Sequence, residues 1–235
     1  VIKSRRTIPE VLSTFGMLGV VNSDQQRNPS RRLPREEVRR RLLAEAARVF
    51  TERGYADARI EDIAAGAGFT KGAVYSNFGG KQELFGAILG DGAATELATV
   101  REEIRDLHDL SAVIARVASL VARHIVQDSG HGHLGLEFAA RAARDEQIRE
   151  VLTPMRRAQR EGAARSIAEV AERTGVRPAI DLDQAALILH CLTNGLVNEH
   201  IADPEAVDAE TVERALTTVL TCLLPLPPSD DPPYS

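Results

Sequence analysis

Residues 60–81 read IEDIAAGAGFTKGAVYSNFGGK. Ile60, Ile63, Ala64 and Ala67 recur at helical spacing and share one face. Gly68 follows, where a helix end favours a residue that tolerates positive φ. Phe69 is then an apolar plug between two short helices. Thr70 stands where its hydroxyl could cap the second helix by accepting an orphan backbone N–H. On that helix Val74 and Phe78 are four apart and face inward. Thr70, Lys71, Gly72, Ala73, Ser76 and Asn77 are left on the outer and leading surface, with the Tyr75 phenol beside them. These residues are small or hydrogen-bonding, which suits a helix that enters a groove about 12 Å wide. Lys81 opens the next helix, where a positive charge opposes the macrodipole. A phosphate opposite it would account for the placement. On this reading Lys71, Tyr75, Lys81 and Arg59 meet phosphates, and Thr70, Ala73, Ser76 and Asn77 lie near base edges. Ala73 suits a thymine methyl; Asn77 suits adenine or a phosphate.

Residues 70–85, TKGAVYSNFGGKQELF, preceded by IEDIAAGAG, resemble the helix-turn-helix of the tetracycline-repressor (TetR) family of bacterial transcription factors. The likeness is strong from Glu36 to Leu89 and extends beyond only as helical layout. It implies an all-α dimer: an N-terminal three-helix helix-turn-helix domain joined to a C-terminal helical ligand-binding and dimerisation domain. It also implies that Lys71, Gly72, Tyr75 and Lys81 contact operator DNA. Three positions depart from the family pattern. Arg59 replaces a capping Thr, Asn77 a common His, and Gly79-Gly80 a Pro-Ser pair. Arg59 offers an ion pair to phosphate but no equivalent cap, a loss of roughly 0.5–2 kcal/mol to that helix.

Composition supports a helical, DNA-binding chain. Of 235 residues 43% are apolar but only 4% aromatic, with Ala and Leu dominant, which favours helices. No apolar run of membrane-spanning length is evident. The net charge of −5 is unevenly divided. Val1–Phe85 holds 15 basic and 10 acidic residues, net +5; Gly86–Ser235 holds 14 and 24, net −10. A basic head on an acidic body fits a DNA-binding protein of the cytoplasm. Cys191 and Cys222 fall on apolar helix faces and read as buried free thiols. No zinc-finger spacing exists, and neither a metal nor a cofactor is expected.

Residues 1–34 read as an extension that is disordered or loosely docked, ending in a basic arm, NPSRRLPR, over 28–35. The helix-turn-helix domain spans 35–85. Its first helix runs from Pro34 or Arg35 to about Arg53, with Val38, Leu42, Ala46, Val49 and Phe50 inward and Gly54 as its stop. A fourth helix from Lys81 enters the 86–224 domain without a flexible linker. Within that domain Asp128–His133 reads as a loop. Asp145 caps a helix that Pro154 should kink or split. Asp181 or Asp183 opens the penultimate helix. The Pro-rich tail, 225–235, reads as mobile.

The last two helices are apolar on more than one face, so a homodimer interface is expected through Leu189, Leu192, Leu196, Leu216, Val219, Leu220 and Leu223. Polar residues inside apolar helices nominate a small-molecule site: His124, His133, Glu137, Arg141, His190 and Asn194. The reading is therefore a ligand-responsive regulator, most simply a repressor released from palindromic operator DNA by an effector. Two alternatives stand beside it: a ligand-independent structural DNA-binding protein, and a helical enzyme. The enzyme reading is the weaker. GAGFTKG follows a helix where a nucleotide loop needs a strand. GGK at 79–81 has Tyr75 and Gln82 where a P-loop needs Gly and Ser/Thr, and GxSxG and HExxH are absent.

Overall fold

The computed structural model describes residues 33–127 and 129–225. The N-terminal extension, most of the basic arm and all but the first residue of the Pro-rich tail lie outside the described residues. Those from Arg35 onward form one compact unit. Among the described residues there are nine helices and no strand: α1 Arg35–Asp57, α2 Ile60–Gly66, α3 Lys71–Phe78, α4 Lys81–Glu103, α5 Leu110–Gln127, α6 Ser129–Ala142, α7 Glu146–Thr174, α8 Leu182–Ala202 and α9 Ala209–Leu223.

Two apolar cores organise them. The first takes Leu42, Val49 and Phe50 from α1, Ile63 from α2, Val74 from α3 and Leu84 and Phe85 from α4. It does not end at Phe85, where the sequence suggests a domain boundary. Leu134 and Phe138 of α6 and Ile148 of α7 complete it. Four of the chain's few aromatic rings meet at this seam. Phe85 lies edge-on to Phe50 at 4.8 Å and to Tyr55 at 5.1 Å, and tilts against Phe138 at 4.7 Å. The second core joins α5, α8, α9 and the C-terminal half of α7. α4 runs into both regions without a break.

α1 is interrupted where the sequence places its stop. Gly54 has φ 71° and ψ 173°, a conformation almost restricted to glycine. The break frees the Tyr55 N–H, which donates to Glu137 Oε2 of α6 at 3.0 Å. Gly54→Ala is expected to cost about 1–3 kcal/mol, read as a lower urea midpoint at unchanged slope.

Four expectations change. Residues 129–133 are not a loop: α6 begins at Ser129. A Cβ on Gly132 would lie 2.5 Å from Val197, and one on Gly130 would lie 3.1 Å from Thr51. Those glycines allow α6 to press against α1 and α8, and packing overrides their poor helix propensity. α7 runs through Pro154 as one helix, so of the kink or split expected there the split does not occur. Pro154 and Glu150 are on the solvent side, where a carbonyl deprived of its partner is open to water. Cys191 and Cys222 are exposed rather than buried, because they occupy the outward faces of α8 and α9. Finally, α5 is long and apolar enough to cross a membrane by length and composition. Its Leu110, Val113, Ile114, Ala118, Ala122 and Ile125 are instead buried in the second core.

Candidate functional site

α2, the turn 67–70 and α3 form the candidate nucleic-acid interface. Gly68 takes φ 79°, and Phe69 N–H donates to the Ala64 carbonyl at 2.8 Å, which turns the chain sharply after α2. Val74 is fully buried and Phe78 partly so, both in the first core. That anchor turns Thr70, Lys71, Gly72, Tyr75 and Ser76 outward; Tyr75 is 46% exposed. Thr70 has the extended backbone of a cap, but its side chain makes no capping bond. Arg59 precedes α2 in the same way, exposed and without a cap bond. The hydroxyl of Thr70 and the guanidinium of Arg59 are thus not committed to helix ends. Lys71 pairs with Glu61 of α2 at 2.5 Å, which raises its pKa.

Three residues sit less openly than expected. Asn77 is half-buried and donates through Nδ2 to the Ala73 carbonyl of its own helix at 2.8 Å, while Oδ1 is buried without a partner. Ala73 is half-buried beside it. Lys81 turns toward α1: Nζ donates to the Ala56 carbonyl at 3.2 Å and lies 4.6 Å from the centre of the Tyr55 ring. Burial first, then Arg141, lowers its pKa. A cation at the start of α4 is therefore explained within the chain, by a carbonyl at the end of α1 and by a ring face.

Two arginines of α1 also border α3: Arg35, the last residue of the basic arm, and Arg39, which the sequence does not single out. Arg39 Nη1 donates to the Asn77 carbonyl at 3.2 Å, and its guanidinium covers Phe78 at 4.4 Å. Arg35 Nη2 reaches the Ser76 carbonyl at 3.4 Å. Both complement the carbonyl end of α3, where positive charge is favourable. Their position on α1, one turn apart, was the available signal.

The six nominated ligand residues fall into separate places. His124 of α5 lies 3.5 Å from Glu96 of α4. His133 is exposed on α6. Glu137 receives Tyr55 N–H and also pairs with Arg141 at 3.0 Å, and the Arg141 guanidinium lies 5.2 Å from the Tyr55 ring. This pair ties α6 to the break in α1. His190 and Asn194 form the other nominated pair, and there they meet Arg156 of α7. A cleft of about 370 Å³ between α4 and α7, lined by Arg101, Arg105, Ser166, Glu169 and Arg173 among others, includes none of the six.

The seven nominated interface residues pack on their own chain. Leu216, Leu220 and Leu223 are buried in the second core, with Leu189, Leu192, Leu196 and Val219 partly buried against it. The outward apolar side chains of α8 are others: Leu187 is 46% exposed and Ile188 38%, next to Cys191.

Comparison with known proteins gives the family. The family description "Bacterial regulatory proteins, tetR family" matches residues 42–88, and "BetI-type transcriptional repressor, C-terminal" matches 116–225. Together they span about two thirds of the chain, head and body in order. The chain belongs to the TetR family. Among TetR-family relatives, the transcriptional regulator UidR of Escherichia coli K12 is 25% identical over 74% of this chain and 84% of its own. The transcriptional activator FasR of Mycolicibacterium smegmatis is 40% identical over 78 residues, which is 33% of this chain and 36% of its own length. A putative TetR-family regulator from Rhodococcus sp. shares the fold with a TM-score of 0.66 at 22% identity, over 80% of this chain and 99% of its own. So does the regulator FadR of Bacillus subtilis, solved with stearoyl-CoA, with a TM-score of 0.61 at 16% identity, over 77% and 96%. The TetR-family chain is a transcriptional regulator rather than an enzyme.

Proposed function

We propose that this regulator acts in the cytoplasm as a ligand-responsive repressor. It binds palindromic operator DNA as a homodimer and is released when a small molecule occupies the body. One observation carries the DNA-binding part: full burial of Val74 holds the face with Thr70, Lys71, Gly72, Tyr75 and Ser76 outward. Arg59 flanks that face and reaches phosphate from the start of α2. One α3 reads too few bases alone, whereas two copies about 34 Å apart read both halves of a palindrome. The BetI-type repressor match over the body supports repression, and a regulator of the same fold, FadR of Bacillus subtilis, solved in complex with stearoyl-CoA, supports a small-molecule ligand.

The test is fluorescence anisotropy of full-length protein on the DNA upstream of its own coding region. Affinity should fall steeply with salt, as phosphate contacts require. Lys71→Ala should weaken binding at every sequence and reduce the salt slope by about 1. A wild-type protein that bound this DNA no better than unrelated DNA would overturn the proposal.

A further inference from the structure

α7 and α8 enclose a polar cluster that the DNA-binding face does not use. Arg156 Nη1 lies 2.9 Å from His190 Nε2 and donates to Asn194 Oδ1 at 3.0 Å. Asn194 Nδ2 donates to the His190 carbonyl at 2.6 Å, which keeps its oxygen turned to Arg156. Arg160 stands one turn along α7, close enough for its charge to act on Arg156 and His190. All four residues are half-buried. Burial, then Arg156 and Arg160, holds the His190 imidazole down at about 4. It is therefore neutral at pH 7, and both direct partners of Arg156 carry no charge.

Among the described residues no carboxylate pairs with Arg156 or Arg160. Other arginines, Arg48, Arg101, Arg116 and Arg214, each hold a glutamate. A guanidinium withdrawn from water costs free energy until a counter-charge joins it. Arg156 Nε and Nη2 donate to no acceptor among the described residues, and neither is a sealed-off buried atom. An arriving pair of oxygens could meet that free edge in the forked geometry that arginine favours. Met155 and Leu189, next in sequence to Arg156 and His190, are apolar and only partly buried.

We infer that Arg156, with Arg160, His190 and Asn194, forms the anion-recognition point for the effector, taking the carboxylate or phosphate head of an otherwise apolar small molecule. The inference rests on the ligand-responsive reading above and adds the chemical class of the ligand. Arg156 supplies the fork, Arg160 the field, and Asn194 orients Arg156. His190 stays neutral until the anion arrives, and then gains a proton more readily.

The experiment titrates full-length, DNA-free protein with octanoate, octyl phosphate and uncharged octanol. Heat of binding is measured together with the pH titration of the His190 ring by NMR. At least one anion should bind ten-fold or more tightly than octanol and move the His190 midpoint upward from about 4. The two anions decide between carboxylate and phosphate. Arg156→Gln should remove the preference over octanol; Arg156→Lys, which keeps the charge, should restore part of it and show that the site still folds. Equal binding of octanol and both anions, no binding of any of the three, or an unchanged anion preference in Arg156→Gln would each overturn the inference. So would a His190 midpoint that rises on self-association alone, since a carboxylate of a second copy would then be the missing counter-charge. Failure of operator binding counts against the regulatory reading instead, because these titrations contain no DNA.

Discussion

Phe85→Ala lowers stability by about 3–5 kcal/mol, the range for removing a large ring from a packed core. Phe85 is fully buried and touches three other rings, two from α1 and one from α6. Few side chains could refill the space, because the seam depends on four aromatic residues in a chain that is only 4% aromatic. The same truncation should weaken operator binding in protein that is still folded. Phe85 backs the α1 and α4 framework on which α3 rests. Phe85→Leu, which fills more of the volume, should lose less than half as much. Urea unfolding followed by circular dichroism measures both variants. A loss below about 1 kcal/mol, well under the usual cost of such a cavity, would mean that head and body are joined elsewhere.

Ile188→Glu combined with Leu187→Glu should leave each chain folded and make it monomeric, with operator affinity reduced at least about a hundred-fold as the second half-site is lost. Both side chains face outward from α8, so a charge there costs the isolated chain little. At the centre of a homodimer interface the same charges would be buried without partners, which is strongly unfavourable. Leu216→Glu is the contrasting variant. Leu216 is 3% exposed within its own core, and this change should unfold the chain instead. Sedimentation with thermal unfolding separates the two results. A double variant that remained dimeric and bound operator normally would place the interface away from this face of α8.

The head was legible because its signals are local. Gly54 and Gly68 mark positive φ, and Val74 with Phe78 fixes which face of α3 is buried. The acidic caps were legible for the same reason: Asp145 accepts from the N–H groups of Gln147 and Ile148, and of Asp181 and Asp183 it is Asp181 that caps α8, whereas the Thr70 hydroxyl makes no cap on α3. Features set by distant residues were not legible. The glycines at 130 and 132 look like a loop until Thr51 and Val197 are seen against them. Lys81 looks free until Tyr55 and the Ala56 carbonyl lie beside it. Helical spacing also located the apolar faces of α8 and α9 without saying which one meets its own core. Leu189 and Leu187 differ by only two positions yet face opposite ways. Arg156 gives no signal of its own in the sequence, since an arginine on a long charged helix reads as solvated. Only the approach of His190 and Asn194 from α8 shows otherwise.

The seam around Tyr55 has an optical consequence. The chain has no tryptophan and three tyrosines, so its intrinsic ultraviolet emission is phenolic. Tyr55 lies against Phe50, Phe85 and Phe138, while Tyr75 stands in water on α3. Burial, reinforced by the nearby Asp145 carboxylate, pushes the Tyr55 phenol up to about 12. In alkali it therefore keeps its proton beyond the point, about 10, at which a freely solvated phenol ionises. Parting of head from body would return that ring to water and restore ordinary alkaline absorbance, so the joint carries its own unlabelled spectroscopic gauge.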